Sequence, residues 1–167
     1  MALKSQYFID KLGLQKHPEG GYFREVYRSD ETLPRDALPE RFEADRTVST
    51  SIYFLLSDND FSAFHRMKQD EVWHYHAGAT VVIKGIDPKG KLHTMRLGID
   101  LTADERPEQV IPRDWIFGAY IEGKDNYALV SCTVAPGFEF QDFELMPRRK
   151  LLEIFPEHSA IITRLTR

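Results

Sequence analysis

The sequence predicts an all-β domain, an antiparallel sandwich or small barrel with short N- and C-terminal helices. Three observations carry this. About nine short runs of β-branched and aromatic residues follow one another along the chain. The stretches between them hold turn chemistry, with no helical period among them. Aromatic residues make up 12% of the chain, a share that leans toward strands. Strands in series without intervening helices are the pattern of antiparallel all-β architectures.

Taken in order, Ser5 to Leu12 carries apolar side chains at Phe8, Ile9 and Leu12 and is followed by Gly13. This predicts a short amphipathic helix with a glycine cap, serving as a lid or an edge cover. His17-Pro18-Glu19-Gly20-Gly21 is a turn cluster. It feeds Tyr22 to Arg28, whose alternate charges suit an edge strand or one that crosses to a partner subunit. Ser29 to Arg46 mixes Pro34 and Pro39 with many charges and reads as a mobile loop, of a length that often serves function or an interface. Further strands are expected at Thr47 to Leu56, Ser62 to Met67, Glu71 to His76, Thr80 to Gly85 and Lys91 to Leu97. Others follow at Gln109 to Ile111, Trp115 to Ile121, Tyr127 to Val134 and Phe138 to Leu145. Turns are expected at 57–60, Ala77-Gly78, 87–90, 112–114, 122–126 and Pro136-Gly137. After Pro147, Leu151, Leu152, Ile154 and Phe155 suggest one or two helical turns broken by Pro156, with Arg148-Arg149-Lys150 as a solvated start. The pattern assigns no partner to the tail from Ile161 to Leu165.

With 167 residues the chain fits one domain, 1–167, long enough to bury a substantial core. Hydrophobic residues at 42% and charged residues at 29% exclude a disordered chain. A net charge of -4 excludes bulk attraction to nucleic acid or to anionic membranes. The single Cys132 excludes an intramolecular disulfide and a cysteine-rich zinc site. Its mid-strand position reads as an inert buried thiol. No apolar run is long enough for a membrane span, and MALKSQYFID lacks the pattern of a signal peptide, so the cytoplasm is the expected compartment.

The chemistry concentrates between Ser62 and Gly85, SAFHRMKQDEVWHYHAGATVVIKG. Two strands joined by a polar turn carry His65, Met67 and Glu71. With the two-residue period of a strand, Glu71, Trp73 and Tyr75 share one face and Val72, His74 and His76 the other. A carboxylate flanked by aromatics on one face fits a pocket wall.

His65, Met67, Glu71 and Gly78 together resemble the first motif of the cupin superfamily, in which two histidines one residue apart precede a glutamate and a glycine. Met67 stands in the second histidine's place. Ile111-Pro112-Arg113-Asp114-Trp115-Ile116-Phe117 resembles the second cupin motif, with Asp114 for its glycine and Phe117 for its histidine. With HPEGGYFREVYRS, STSIYFLL, FHRMKQDEVWHYHAG and VAPGFEFQDFEL, residues 5 to 146 closely resemble a family of small single-domain cupins of unassigned function, DUF985. The resemblance implies a jelly-roll barrel (double-stranded β-helix) and a homodimer. A cupin metal is typically held by three histidines and a glutamate, of which His65 and Glu71 are kept. No cofactor is favoured; a divalent metal would need His65, Glu71 and His76, the last turned inward by a bulge near Ala77.

His65 is a candidate acid or base, or a ligand-binding histidine. Glu71 either acts with it, its pKa raised by burial between Trp73 and Tyr75, or pairs with Arg66 or Lys68 near the turn. Tyr53, Met67, Trp73, Tyr75, Trp115, Phe117 and Phe138, with Phe54, are candidates to line an apolar cavity that stacks a ring or sugar face. His74 and His76 suit an outer sheet face buried in the dimer. His17 and Glu19, beside two glycines, are placed to close over the barrel mouth.

Three functions fit these residues. A metal-independent small-molecule binder or isomerase uses His65 with Glu71 or Asp142, as the resemblance to deoxysugar epimerases suggests. Their tyrosine is missing at Val134-Ala135-Pro136, leaving Tyr53 or Tyr75 as substitutes. A metal-dependent oxygenase or isomerase with a reduced ligand set, and a non-catalytic storage-like binder, are the alternatives.

Overall fold

The computed structural model describes residues 4–57, 60–123 and 127–167. The turns expected at 57–60 and 122–126 fall partly outside them. Helix α1 (Ser5–Leu12) ends on Gly13 in the left-handed conformation, φ 61°, with its N–H on the Ile9 carbonyl. This is the expected glycine cap. Strands follow as β1 (Gln15–Lys16), β2 (Tyr22–Arg28), β3 (Thr32–Leu33), β4 (Arg46–Thr47), β5 (Thr50–Ser57), β6 (Ser62–Met67) and β7 (Glu71–Gly78). The chain continues through β8 (Thr80–Ile86), β9 (Leu92–Leu97), β10 (Glu108–Ile111), β11 (Ile116–Glu122), β12 (Tyr127–Val134) and β13 (Phe143–Leu145). Helices α2 (Arg148–Ile154) and α3 (Ser159–Arg164) complete it. None of the described helices is long and apolar enough to cross a membrane.

Two antiparallel sheets face each other, in the orders β1-β2-β5-β12-β7-β10 and β13-β6-β11-β8-β9. From β5 onward the chain passes repeatedly between the sheets, so strands adjacent in sequence mostly face rather than pair. This is the jelly-roll barrel, and it places β6 and β7, which carry His65 and Glu71, on opposite walls.

The barrel interior is one apolar cluster drawn from both sheets, with Phe54, Trp73 and Val130 on one wall and Val81, Ile83 and Phe117 on the other. Strand β8 reads as a continuous apolar run because both its faces are covered. Its Val82 and Ile86 turn outward and meet Leu151, Ile162 and Leu165. The tail from Ile161 therefore packs, through α3, on the outer face of the smaller sheet. On the larger sheet α1 lays Phe8, Ile9 and Leu12 beside Leu55 and Leu129.

Two expectations need correction. The segment from Ser29 to Arg46, read as a mobile loop, is fastened to the barrel. β3 pairs with β4, Phe42 is fully buried, and the Arg46 guanidinium donates two 2.7 Å bonds to Asp142. Both side chains of that pair are inaccessible, and Gln69 Nε2 adds a third bond to the Asp142 carboxylate. The bidentate geometry and the extra donor are what a buried pair needs to offset desolvation. Phe138 to Leu145, read as one strand, begins irregularly and passes through a 3-10 turn at Phe140–Asp142 before β13. The turn directs Asp142 inward to Arg46.

Candidate functional site

The barrel encloses a cavity with about 100 Å³ of space open to a water-sized sphere. Strand parity fills its walls: β6 turns in His65 and Met67, β7 turns in Glu71 and Trp73, β12 contributes Cys132 and Val134, and β5 contributes Thr50, Ile52 and Phe54. His17 and Glu19 enter from the turn before β2. Phe138, Phe140 and Phe143 enter from the segment that Arg46 and Asp142 hold. At the rim Arg28 donates to Glu25 and Glu139.

His65 is 1% exposed. Its Nδ1 lies 2.8 Å from the Ala63 carbonyl oxygen. That oxygen only accepts, so hydrogen bonding assigns the ring proton to Nδ1 and leaves Nε2 with a free lone pair in the neutral ring. Burial holds the imidazole below its ordinary pKa, against the opposing pull of Glu71 and the Ala63 carbonyl. The ring is backed by Phe117, centroid to centroid 4.1 Å.

Glu19 is buried, and Ser62 Oγ donates to its Oε1 at 2.7 Å. Its Oε2 stands 3.4 Å from His17 Nδ1 and 3.5 Å from His65 Nε2. The Glu19 N–H donates to His17 Nδ1, so that nitrogen too is an acceptor. Burial raises the Glu19 pKa, against His17, Ser62 and Arg167. The Glu19 carboxyl thus spans two ring nitrogens, at distances that commit it to neither.

Glu71 is 7% exposed, and the Trp73 and Cys132 side chains lie beside its carboxyl. Burial pushes its pKa up to about 7; His65, Trp73 and Cys132 oppose the rise and Glu19 adds to it. The pairing of Glu71 with Arg66 or Lys68 does not form: Arg66 pairs with Glu144, and Lys68 with Glu43. An acid poised near neutrality and a neutral histidine base therefore face one apolar cavity, the arrangement that proton transfer requires.

The turn that carries His17 and Glu19 is held rigidly. Gly21 has φ 69°, and a Cβ there would lie 2.7 Å from the Leu55 carbonyl oxygen, so only glycine fits this close approach. The Gly21 N–H donates to Asp60, and Arg167 donates to both the Glu19 carbonyl and Asp60.

Of the sequence-predicted ligand-binding residues, the cavity gathers Met67, Trp73 and Phe138 around His65 and Glu71, with Phe54 beside them. Tyr53, Tyr75, Trp115 and Phe117 are corrected out of the lining. Tyr53 alternates with Ile52 and Phe54 and so faces α1 on the outer side. Tyr75 packs against the core beyond the cavity, and its hydroxyl donates to the Gly78 carbonyl. Trp115 stacks on His93 at 4.5 Å, and Phe117 is spent behind His65. Asp142, an alternative to Glu71, is occupied by Arg46. The pattern anticipated His17 and Glu19 at the mouth, but their contact with His65 spans 46 or more positions of sequence and left no local signal. Cys132 is buried as expected and its pKa lies well above the ordinary value, through burial and the nearby Glu71 and Glu19. Inward parity with Val134 was the signal for its place in the cavity.

The superfamily's metal set does not fit this cavity. Met67 and Phe117 occupy two of its histidine positions, a thioether being a weak ligand for hard divalent ions and a phenyl ring none. His76, the suggested replacement, remains on the outer face with Nε2 2.9 Å from Ser131 Oγ. The register shift of β7 against β12, between Leu129 and Val130, does not turn it inward. Among the described residues no three His, Cys, Asp or Glu side chains are grouped to hold a metal ion.

Comparison with known proteins agrees with the fold. The uncharacterized protein YML079W of Saccharomyces cerevisiae is 30% identical over 166 residues, covering 93% of this chain and 82% of the yeast protein. The crystal structure of protein SO0799 from Shewanella oneidensis is 40% identical and superposes with a TM-score of 0.90 over 99% of each chain. A hypothetical protein from Leishmania major is 32% identical, also with a TM-score of 0.90, over 98% of this chain and 99% of its own. The family model described as cupin superfamily (DUF985) matches residues 6–146, and the chain belongs to that family.

Proposed function

We propose that the protein binds a small molecule in its barrel cavity and moves a proton on it without a metal, as an isomerase does. The observation that carries this is the pairing of His65 Nε2, a lone pair facing the cavity, with Glu71, a buried carboxyl poised near pH 7. In the step this supports, a proton leaves the carbon next to a carbonyl for His65 Nε2, and the electron pair of that C–H bond moves to the carbonyl oxygen. The Glu71 carboxyl gives its proton to that oxygen as the enol forms and takes it back as the enol collapses, while His65 Nε2 returns its proton to carbon; Glu19 Oε2, within 3.5 Å of His65 Nε2, positions the ring.

The test is solvent exchange. Small cyclic ketones and hydroxy ketones incubated with the protein in D2O should gain deuterium next to the carbonyl, and His65→Gln and Glu71→Gln should each lose most of that exchange. Exchange that survives both substitutions, or no exchange in any compound that binds, overturns the reading.

The same reading takes the chain as a cytoplasmic homodimer. Supporting it, His74 and His76 stand with Ser131, Thr133 and Glu108 on the outer side of the larger sheet, whose strands also expose Val26, Tyr27 and Val110. Sedimentation as a monomer at micromolar concentration would refute the dimer.

A further inference from the structure

The proton transfer proposed above leaves one titratable group of the lining without a role, His17. Its side chain is 7% exposed and lines the same cavity as His65. The Glu19 N–H donates to its Nδ1 at 3.3 Å, so Nδ1 acts as an acceptor and hydrogen bonding assigns the ring proton to Nε2. Burial holds the imidazole below its ordinary pKa; Glu19 opposes this and His65 adds to it. Near pH 7 the ring is thus neutral, with its lone pair spent on the backbone and one N–H left to give.

That N–H has no taker in the protein. Nε2 meets no hydrogen-bond acceptor among the described residues, and it keeps surface that a water-sized sphere can touch. Phe23, Phe54 and Phe143 stand edge-on to the ring, and Phe140 lies within 25° of its plane. Phenyl rings accept an N–H weakly, but they fix the direction in which it points. A donor held in place on a cavity wall and left unspent is the kind of group that orients a ligand.

The lining narrows the acceptor. Its charged groups are Glu19, Glu25, Glu71 and Glu139 against Arg28, which already donates to Glu25 and Glu139. An anion meets carboxyl groups and no free cation there, and an ammonium group has no lone pair to offer Nε2. An uncharged oxygen avoids both faults. A dry cavity of about 150 Å³ takes a benzene ring, so about 100 Å³ suits a ring of five or six atoms.

We propose that His17 is a ligand-binding residue, its Nε2–H orienting a small ring by donating to an uncharged oxygen on it, of the carbonyl, ether or hydroxyl class. The assignment rests on the small-molecule reading above and adds to it the group that selects this class over ammonium and carboxylate compounds.

The first measurement needs no ligand. Imidazole nitrogen NMR spectra of the wild-type protein at pH 8 should show His17, identified by its contacts with the phenyl rings, carrying its proton on Nε2. The second titrates two rings of equal size, tetrahydrofuran with an ether oxygen and pyrrolidine with an ammonium group in its place. The Ile52 and Val134 methyl signals report entry into the cavity. Tetrahydrofuran should move the His17 Nε2 signal and bind roughly tenfold tighter to the wild type than to His17→Phe, the worth of one hydrogen bond. Pyrrolidine should bind the two proteins alike. The tautomer and the Nε2 signal are read on the wild type, so they decide even where His17→Phe does not fold. A proton on Nδ1, a tetrahydrofuran that moves the methyl signals but not Nε2, or a pyrrolidine that is the tighter ligand overturns the assignment and leaves a small-molecule cavity standing. If neither ring moves the methyl signals, the cavity reading falls and the assignment with it.

Discussion

Replacing Glu71 by glutamine keeps the size of the side chain and removes its titration. In the wild-type protein burial moves this carboxyl from 4.5 to about 7, so its neutral form is the one that the fold favours. Below pH 4.5 both the folded and the unfolded chain hold the proton, and nothing is lost. As pH rises from 4.5 to about 7 the unfolded chain releases the proton while the folded chain keeps it, and stability falls across that window. The full loss is about 3 kcal/mol above the folded value. Glu71→Gln should therefore match the wild type to within an offset near pH 4.5 and exceed it by up to about 3 kcal/mol at pH 8. Glu19 and His65 titrate in both proteins and cancel to first order in the difference. The assay is urea unfolding at pH 4.5, 6 and 8, with stability taken from the midpoint at constant slope. A stability gap that is flat with pH, or a wild type that is the more stable at pH 8, would show that Glu71 is solvated or ion-paired. The proton-transfer reading would then lose its acid.

Arg46→Ala should cost about 3 to 5 kcal/mol, because it leaves the Asp142 carboxylate buried and unpaired; unfolding midpoints check this, and a loss under about 1 kcal/mol would mean that water reaches the pair. The same change should loosen the segment bearing Phe138 and Phe143, seen as faster amide exchange there. Met67→His with Phe117→His restores the two missing positions of the superfamily's metal set, and the double variant should take up a divalent ion that the wild type does not hold stoichiometrically. Elemental analysis of both proteins decides, and an equal metal content in the two would refute the account of why the set fails.

Much of this protein is legible in the sequence because its signals are local. The strands from Thr47 to Val134, the glycine that ends α1, and the shared face of Glu71 and Trp73 follow from backbone geometry and a two-residue period. The outward placement of His76 follows from the same parity. Tyr53 and Tyr75 show where such reasoning stops: an aromatic residue in a strand is buried whether it faces a cavity, a helix or the far end of the barrel. Phe117 was expected in the pocket on the strength of a motif, and it is instead consumed in backing His65. The tertiary structure alone decided three things, each a meeting of segments far apart in the chain. It brought Glu19 against His65, Asp142 to Arg46 so that an apparent loop became an anchor, and Cys132 to the wall beside Glu71. Burial in that barrel, which no single segment encodes, also raises the Glu71 carboxyl and lowers the His65 imidazole. Sequence period sets which way a side chain points; only the closed fold removes its water.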